Sequence, residues 1–170
     1  MELSATVPVR VGVAVDSGFD DFYRREWPAL VRLAITLTGS RAVAEELTQE
    51  AMLRVLTRWG RVAEYDKPGA FARRVLLNLV SSSLRRRRAE ARALRRRGVD
   101  DDVTWSASTA DFWALVRSLP ARQAHVIALY YGDDRSTADI AAVLDVAEGT
   151  VRSTLAQARA ALRAHYESEA

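Results

Sequence analysis

Cysteine is missing from this chain of 170 residues, and Lys67 is its only lysine. Without thiols the protein has no disulfide framework and no cysteine-based zinc, iron–sulfur or redox chemistry, which fits a reducing cytoplasm. Long apolar runs are missing as well, so we expect no insertion into a membrane. The first eighteen residues, which Glu2 and Arg10 interrupt, lack the basic start and the unbroken apolar stretch of a signal peptide.

The charge of the chain is unevenly distributed. Apolar residues make up 49% of the sequence and charged residues 28%, which is a globular composition with enough material for a core. The net charge of +3 divides into −1 over residues 1–70, +9 over residues 71–97 and −5 over residues 98–170. A basic block of this kind predicts a polyanionic partner.

Apolar residues recur at helical spacing through most of the chain, and no strand-like alternation follows residue 18. We therefore predict an all-α fold of two small helical domains. The first domain, residues 19–88, has helices over 19–38 and 42–59 and a third that begins at Pro68. Pro28 predicts a kink in the first helix or a division into two helices. In the second helix we expect Leu53 or its neighbour Ala51 to face inward.

A second domain is predicted over residues 107–167. Residues 1–18 are expected to form a flexible tail, and residues 89–106, which include Asp100–Asp102, a flexible linker. Within the second domain a short helix, a tight turn over residues 145–148 and a longer helix form a helix-turn-helix pattern. Plain helical packing would give the same pattern without any binding to DNA.

The last helix separates its side chains into a core stripe and a small polar face. Val151, Leu155, Ala158 and Leu162 lie within about 40° of one another when each residue advances by about 100°. The opposite face is narrow enough to enter a major groove, where side chains reach base edges and phosphates. The candidate DNA contacts there are Arg152, Ser153, Gln157 and Arg159. Thr137, at the start of the preceding helix, is a candidate for a phosphate contact or for a helix cap.

The third helix carries a second candidate nucleic-acid surface. Arg74, Asn78, Ser81 and Arg85 step by four, three and four residues and form one polar stripe, with Arg73 beside it. A solvated basic tail is the ordinary alternative for the run Arg85–Arg88. Two aromatic residues, Trp59 and Tyr65, could stack on an unpaired base, although a core position is the commoner role of such residues.

Three sequence blocks resemble the extracytoplasmic-function class of bacterial RNA polymerase sigma factors. AEELTQEAMLRVLTRW resembles the polymerase-binding helix of sigma domain 2, and KPGAFARRVLLNLVSSSLRRRR resembles the segment that binds the promoter −10 element. SLPARQAHVIALYYGDDRSTADIAAVLDVAEGTVRSTLAQARAALR resembles sigma domain 4. The stretch FDDFYRREWPALVRLAITLTGSRAVAEEL is similar to the opening of the actinobacterial SigE-like subfamily.

The resemblance implies a sigma domain 2-like domain and a sigma domain 4-like domain, which bind core RNA polymerase and promoter DNA in the cytoplasm. The polymerase contacts would be its clamp helices and its flap, and the resemblance leaves open an inhibitory anti-sigma protein. The clamp-helix contacts that the resemblance implies are Glu46, Gln49, Glu50 and Leu56. Ordinary solvation would otherwise explain this acidic face.

The resemblance also implies roles in promoter recognition. Asn78 matches the position beside a base flipped from the −10 element, where Arg73, Arg74, Ser81 and Arg85 would support the separated strand. The −35 element would be held by Thr137, Arg152, Ser153, Gln157 and Arg159.

The sequence departs from the family pattern at the last helix. Thr154 stands where many relatives have Arg or His, and Gln157 where Arg is frequent. We therefore expect weaker binding of DNA phosphates and a −35 sequence that differs from that of the relatives. Ala147 replaces the usual Pro or Ser before the recognition helix.

Two other classes of function compete with this interpretation. A free-standing helix-turn-helix regulator would dimerise and bind duplex DNA without polymerase. An enzyme would need chemistry that the sequence does not offer, because it lacks a glycine-rich phosphate loop and a nucleophile–base pair. His125 and His165 are isolated, a satisfied core position is expected for His125, and Asp100–Asp102 is expected to be solvated. We therefore expect no catalytic activity, no cofactor and no metal site.

Overall fold

The computed structural model describes residues 17–95 and 109–169, and helices are the only regular secondary structure in these two ranges. The predicted all-α fold is confirmed. The helices are α1 (Ser17–Thr38), α2 (Arg41–Leu56), α3 (Trp59–Val62), α4 (Pro68–Arg95), α5 (Thr109–Ser118), α6 (Ala121–Ile127), α7 (Thr137–Leu144) and α8 (Glu148–Glu169), and a π-helical turn, Ala128–Gly132, continues α6.

Helices α1, α2 and α4 form the N-terminal half around one apolar centre. Gly39 ends α1 with a φ of +69°, a left-handed conformation that glycine adopts without steric cost. Ser40 then caps α2, because its side chain accepts a hydrogen bond from the backbone N–H of Val43. The largest side chains of this centre include Phe22 and Leu33 from α1, which are buried with Val55 and Leu76 from the other two helices.

The N-terminal half differs from the sequence prediction at three points. Pro28 lies inside the single helix α1, so the predicted alternative of two helices is wrong. Helix α2 ends at Leu56, and Trp59 begins the separate turn α3. Ala51 is fully buried whereas Leu53 is 50% exposed, so only the first of these two alternatives faces inward.

The helix-turn-helix of the C-terminal half is formed by α7, a turn and α8. The side chain of Ser136 caps α7 by accepting a hydrogen bond from the N–H of Asp139, and Asp145 ends the helix with a left-handed φ of 57°. The core stripe predicted for the last helix is confirmed, because Val151, Leu155, Ala158 and Leu162 are all buried. The other face of α8 is therefore directed to solvent.

The two halves pack against each other and share one core. Helix α1 contacts α5 and the π-helical turn, and α4 contacts α7. Helix α4 continues past residue 88 to Arg95. Residues 17–18 of the predicted tail and residues 89–95 of the predicted linker are therefore helical. Residues 1–16 and 96–108, which include Asp100–Asp102, lie outside the described residues, so the rest of the tail and of the linker and the domain boundaries remain predictions. Within the two described ranges, no helix has both the length and the apolar character that crossing a bilayer requires.

Candidate functional sites

One face of α2 combines acidic, amide and apolar side chains. Glu46 and Gln49 are exposed, and Glu50 accepts a 2.8 Å hydrogen bond from the Nε of Arg54. Leu53 is 50% exposed on the same face, because positions i, i+3, i+4 and i+7 of a helix lie together. We call Glu46, Gln49, Glu50 and Leu53 the acidic face of α2.

The fourth residue predicted on this surface lies elsewhere. Leu56 is partly buried and packs against the core, so it borders the acidic face. Sequence reasoning missed Leu53, which it offered as one of two inward positions. The spacing of seven residues between Glu46 and Leu53 could have indicated that both lie on the same face, since seven residues make about two helical turns.

On α4, Arg73 is buried between two carboxylates. Its Nη1 donates to Oε2 of Glu26 at 2.7 Å, and its Nε donates to Oδ2 of Asp133 at 2.5 Å. Burial alone would lower the pKa of Arg73, but its hydrogen bonds to Asp133 and Glu26 raise the pKa above the ordinary value. Burial likewise tends to raise the pKa of Glu26, and the bonded guanidinium of Arg73 brings that pKa below its usual range.

Two other predicted DNA contacts on α4 also meet the C-terminal half. Arg74 donates from Nε to the carbonyl oxygen of Val143 and from Nη2 to that of Ala142, each at 2.9 Å. The Oγ of Ser81 lies 3.2 Å from Nε2 of His125. Asn78 and Arg85 are exposed, so the predicted stripe is partly covered and partly open.

The exposed face of α8 has the predicted composition. Arg152, Ser153, Gln157 and Arg159 are all exposed. The Oγ of Ser153 donates to the carbonyl of Thr150 at 3.0 Å, and Arg152 lies 3.6 Å from Glu148. The structure therefore brings together four of the five residues predicted for this surface on one open helix face.

Tyr131 holds Arg159, a contact that sequence reasoning did not find. The Nε of Arg159 donates to the hydroxyl of Tyr131 at 2.8 Å. Its guanidinium carbon also lies 5.3 Å and 5.5 Å from the ring centroids of Tyr130 and Tyr131, within cation–π range. No sequence pattern indicated this contact, because the tyrosines and Arg159 lie on different helices.

Thr137 ties the two helices of the motif together. Its hydroxyl donates to Oε1 of Glu148 at 2.6 Å, and Ser136 provides the helix cap. Thr154, whose side chain departs from the family pattern, is buried and donates to the carbonyl of Thr150. Residue 154 therefore supports the helix from within.

The two aromatic candidates for base stacking have different positions. Trp59 is buried in a cluster with Phe19 and Phe22, with ring centroids 5.4 Å and 4.9 Å away. Tyr65 is 42% exposed and packs edge-on against Phe71. A core role is confirmed for Trp59, whereas Tyr65 presents ring surface to solvent.

In residues 17–95 and 109–169, no group of three or more histidine and acidic side chains could hold a metal ion. His125 has the satisfied position expected from the sequence, and burial lowers its pKa to about 4. This histidine therefore stays neutral near pH 7.

Comparisons with known proteins identify the family. The Sigma-70 region 2 model matches residues 22–90, and the Sigma-70 region 4 model matches residues 109–162. The RNA polymerase sigma-E factor of Streptomyces avermitilis is 33% identical, with 88% of this chain and 86% of the relative covered. The corresponding factor of Streptomyces coelicolor is 31% identical, with 85% and 84% covered.

Solved structures agree with this assignment. The sigma factor RpoE of Bartonella quintana, in complex with the anti-sigma factor NepR, superimposes with a TM-score of 0.66 at 25% identity and covers 88% of this chain and 97% of its own. The structure of CnrH with the cytosolic domain of CnrY gives 0.64 at 22% identity, covers 89% of each chain and shows the shared fold. The chain belongs to the sigma-70 family of RNA polymerase sigma factors, in the extracytoplasmic-function class.

Proposed function

We propose that this chain acts as a promoter-specificity subunit in the cytoplasm, with no catalytic activity of its own. It binds core RNA polymerase, recognises the −10 and −35 elements and promotes melting for transcription initiation. The observation that carries the proposal is the open face of α8. It combines small residues, an amide and two arginines on the outer helix of a helix-turn-helix, in a chain matched by both sigma-70 regions.

The acidic face of α2 is proposed to bind the clamp helices of polymerase. An exposed leucine surrounded by polar side chains is a typical apolar anchor of a protein interface. Leu53 supplies this anchor, and Glu46, Gln49 and Glu50 supply polar complementarity. Leu56, which packs against the core, is proposed to complete this surface at its border, and the C-terminal half is proposed to reach the polymerase flap.

The −10 element is proposed to bind along α4. Asn78 and Arg85 are exposed, and Arg73, Arg74 and Ser81 continue the same surface where the C-terminal half now lies. Arginine supplies affinity for the backbone, and the small polar residues give space for an unpaired base. Binding of the flipped bases offsets the free energy of unstacking, a few kcal/mol per step, and so favours melting.

The −35 element is proposed to bind the open face of α8. Ser153 and Gln157 reach base edges in the major groove, and Arg152 and Arg159 reach phosphates or guanine. Thr137 borders this surface at the start of α7. Polymerase holds the two DNA-reading surfaces at a fixed spacing, so two weak contacts act jointly.

An anti-sigma protein is a proposed further partner. Both solved relatives are complexes with such a protein or with the cytosolic domain of a partner. An inhibitor of this kind would have to cover surfaces that polymerase also uses, among them the acidic face of α2.

Transcription in vitro tests the proposed function. Core enzyme with this protein, on fragmented genomic DNA, is expected to start RNA at a small set of positions that share two upstream elements. Core enzyme alone and the protein alone are the controls. Tight, sequence-specific binding of the isolated protein to duplex DNA, with no effect on start sites, would instead establish the free-standing regulator.

A further inference from the structure

A cavity of about 220 Å³ lies between α4, α5 and α6. Its apolar wall includes Leu37, Leu84 and Leu119, of which Leu37 and Leu119 are buried. An apolar cavity of about 150 Å³ is already large enough to bind benzene. The cavity therefore has room for a ligand somewhat larger than a benzene ring, such as a short alkyl chain.

The polar part of the same wall is cationic. Arg85, Arg88 and Arg117 line the cavity, and none of the described residues around it is acidic. Arg85 and Arg88 lie on one face of α4, because positions i and i+3 of a helix are neighbours. A small anion at this place would therefore be attracted by several guanidinium groups at once.

Two of these arginines have a positive charge that no carboxylate of the described residues balances. Nη2 of Arg85 donates to Oγ of Ser82 at 3.2 Å, and Nη2 of Arg88 donates to the carbonyl oxygen of Arg117 at 3.4 Å. Both acceptors are neutral oxygen atoms. A carboxylate in the cavity would form the stronger, charge-assisted hydrogen bonds that these acceptors do not provide.

Two neutral polar side chains complete the wall. Ser81 and His125 both line the cavity, and Oγ of Ser81 lies 3.2 Å from Nε2 of His125. Binding sites for small molecules typically combine a mostly apolar wall with a few convergent polar groups. The cavity has this composition, with the addition of the arginines.

We propose that this cavity binds a medium-chain fatty carboxylate of about eight carbon atoms. The alkyl chain packs against Leu37, Leu84 and Leu119, and the carboxylate accepts hydrogen bonds from Arg85 and Arg88. Both parts of the ligand are needed. The chain contributes binding free energy in proportion to the apolar area that it buries, whereas an ion pair with exposed arginines contributes little without it.

Calorimetric titration of the full chain with octanoate tests the proposed ligand class. We expect saturable binding with a dissociation constant below about 1 mM. Acetate has the carboxylate without the long chain, and 1-octanol has the chain without the charge. Each is expected to bind at least about tenfold more weakly than octanoate. Absence of saturable octanoate binding, or equal binding of 1-octanol, would overturn the proposal.

The two histidines of the chain report where octanoate binds. His125 lines the cavity, whereas His165 is exposed on α8 and does not line it. In proton NMR spectra we expect octanoate to shift the imidazole resonances of His125 and to leave those of His165 in place. The variant His165→Gln assigns the two sets of resonances. Unchanged His125 resonances at saturating octanoate would show that this cavity is not the site.

Two pairs of variants test the charge and the volume of the cavity separately. Arg88→Ala removes a charge from its wall, and Arg87→Ala removes the same charge from an exposed neighbour that does not line it. Ala121→Leu adds a side chain at an exposed position of the wall, and Ala89→Leu adds the same side chain at an exposed position of α4 outside it.

Within each pair, only the variant in the wall is expected to weaken the binding of octanoate. We expect a loss of about tenfold for Arg88→Ala, because a hydrogen bond to a charged group is lost, and a loss at least as large for Ala121→Leu. Arg87→Ala and Ala89→Leu should bind like the wild type, with all four proteins folded as judged by circular dichroism. Equal affinities within either pair would overturn the assignment of octanoate to this cavity.

Discussion

Arg159 shows how one side chain of the proposed −35 surface is prepared for binding. A free arginine on a helix surface must lose its rotamer freedom when it contacts DNA, which opposes binding. Here the Tyr131 hydroxyl and the rings of Tyr130 and Tyr131 already fix the guanidinium. Tyr131 is therefore a positioning residue for a proposed phosphate or guanine contact.

The variant Tyr131→Phe removes the hydroxyl and keeps the ring. We expect the affinity of the holoenzyme for −35 duplex DNA to fall about twofold to tenfold, since one hydrogen bond contributes about 0.5–1.5 kcal/mol. Tyr65→Phe, on the other half of the protein, is the matched control and is expected to leave this affinity unchanged. If Tyr131→Phe also leaves it unchanged, Arg159 does not depend on that hydroxyl.

At the scale of elements, α2 and α8 each direct one face to the core and one to solvent. In α2 the apolar anchor Leu53 lies among acidic and amide groups, whereas in α8 the open face is small and cationic. The first composition suits a protein surface and the second suits a polyanion. This difference supports the proposal that α2 binds polymerase and α8 binds duplex DNA.

The acidic face of α2 can be tested by reversing its charge. Gln49→Ala together with Glu50→Lys is expected to abolish co-purification with core polymerase. The lysine reverses the charge that this surface presents to its partner, and an unfavourable charge at a docking surface costs affinity directly. Leu53→Ser should weaken binding without a large loss of stability, since half of the side chain is already exposed. Glu64→Lys makes the same charge change on an exposed residue outside α2 and should bind normally. Retained binding by the double variant would contradict the clamp assignment.

The open face of α8 is expected to separate specificity from affinity. Gln157→Ala removes a proposed base contact and should relax the −35 preference, with a loss of about 1–3 kcal/mol on the best sequence. Arg159→Ala removes a proposed phosphate contact and should weaken binding uniformly, with a smaller salt dependence. Competition assays with a library of −35 sequences measure both effects. A uniform loss for Gln157→Ala would show that this residue does not read bases.

At the scale of the whole molecule, the packing between the halves includes a partly buried histidine. His125 on α6 lies 3.2 Å from Ser81 on α4, and Arg85, Arg88 and Arg117 line the same cavity. Burial lowers the pKa of His125 from 6.5 to about 4. The nearby guanidinium groups are positively charged and so do not favour protonation of the imidazole.

This histidine predicts loss of stability in mild acid. An unfolded chain binds a proton at His125 below pH 6.5, whereas the folded chain does so only near pH 4. The free energy of unfolding therefore falls as the pH drops between those values, by on the order of 3 kcal/mol from this group. Carboxylates such as Glu26, whose pKa is lowered, add a further loss of stability at lower pH. A comparison of the wild type with histidine variants therefore isolates the contribution of His125.

Urea unfolding at several pH values measures the contribution of His125. His125→Gln should unfold with a shallower pH dependence than the wild type between pH 6.5 and 4. His165→Gln, at an exposed position, is the matched control and should keep the wild-type dependence. Identical slopes for all three proteins would mean that His125 titrates normally in the folded state.

Local sequence features determined most of the helices and the orientation of α8. Ser40 and Ser136 act as caps because a short hydroxyl satisfies N–H groups a few residues away. The core stripe of α8 follows from helical spacing alone. Leu53 was ambiguous, since the apolar pattern of α2 fits more than one register near Ala51.

The sequence by itself determined most of the helical elements, the family and the surfaces that are candidates for polymerase and DNA. Its charge distribution of −1, +9 and −5 indicated a cationic segment on α4. Only the tertiary structure decided that Arg73 and Arg74 face the C-terminal half, and that Tyr131 holds Arg159. These contacts join residues up to 69 positions apart, and neither helical spacing nor a local motif specifies which distant carboxylate or carbonyl a guanidinium will meet.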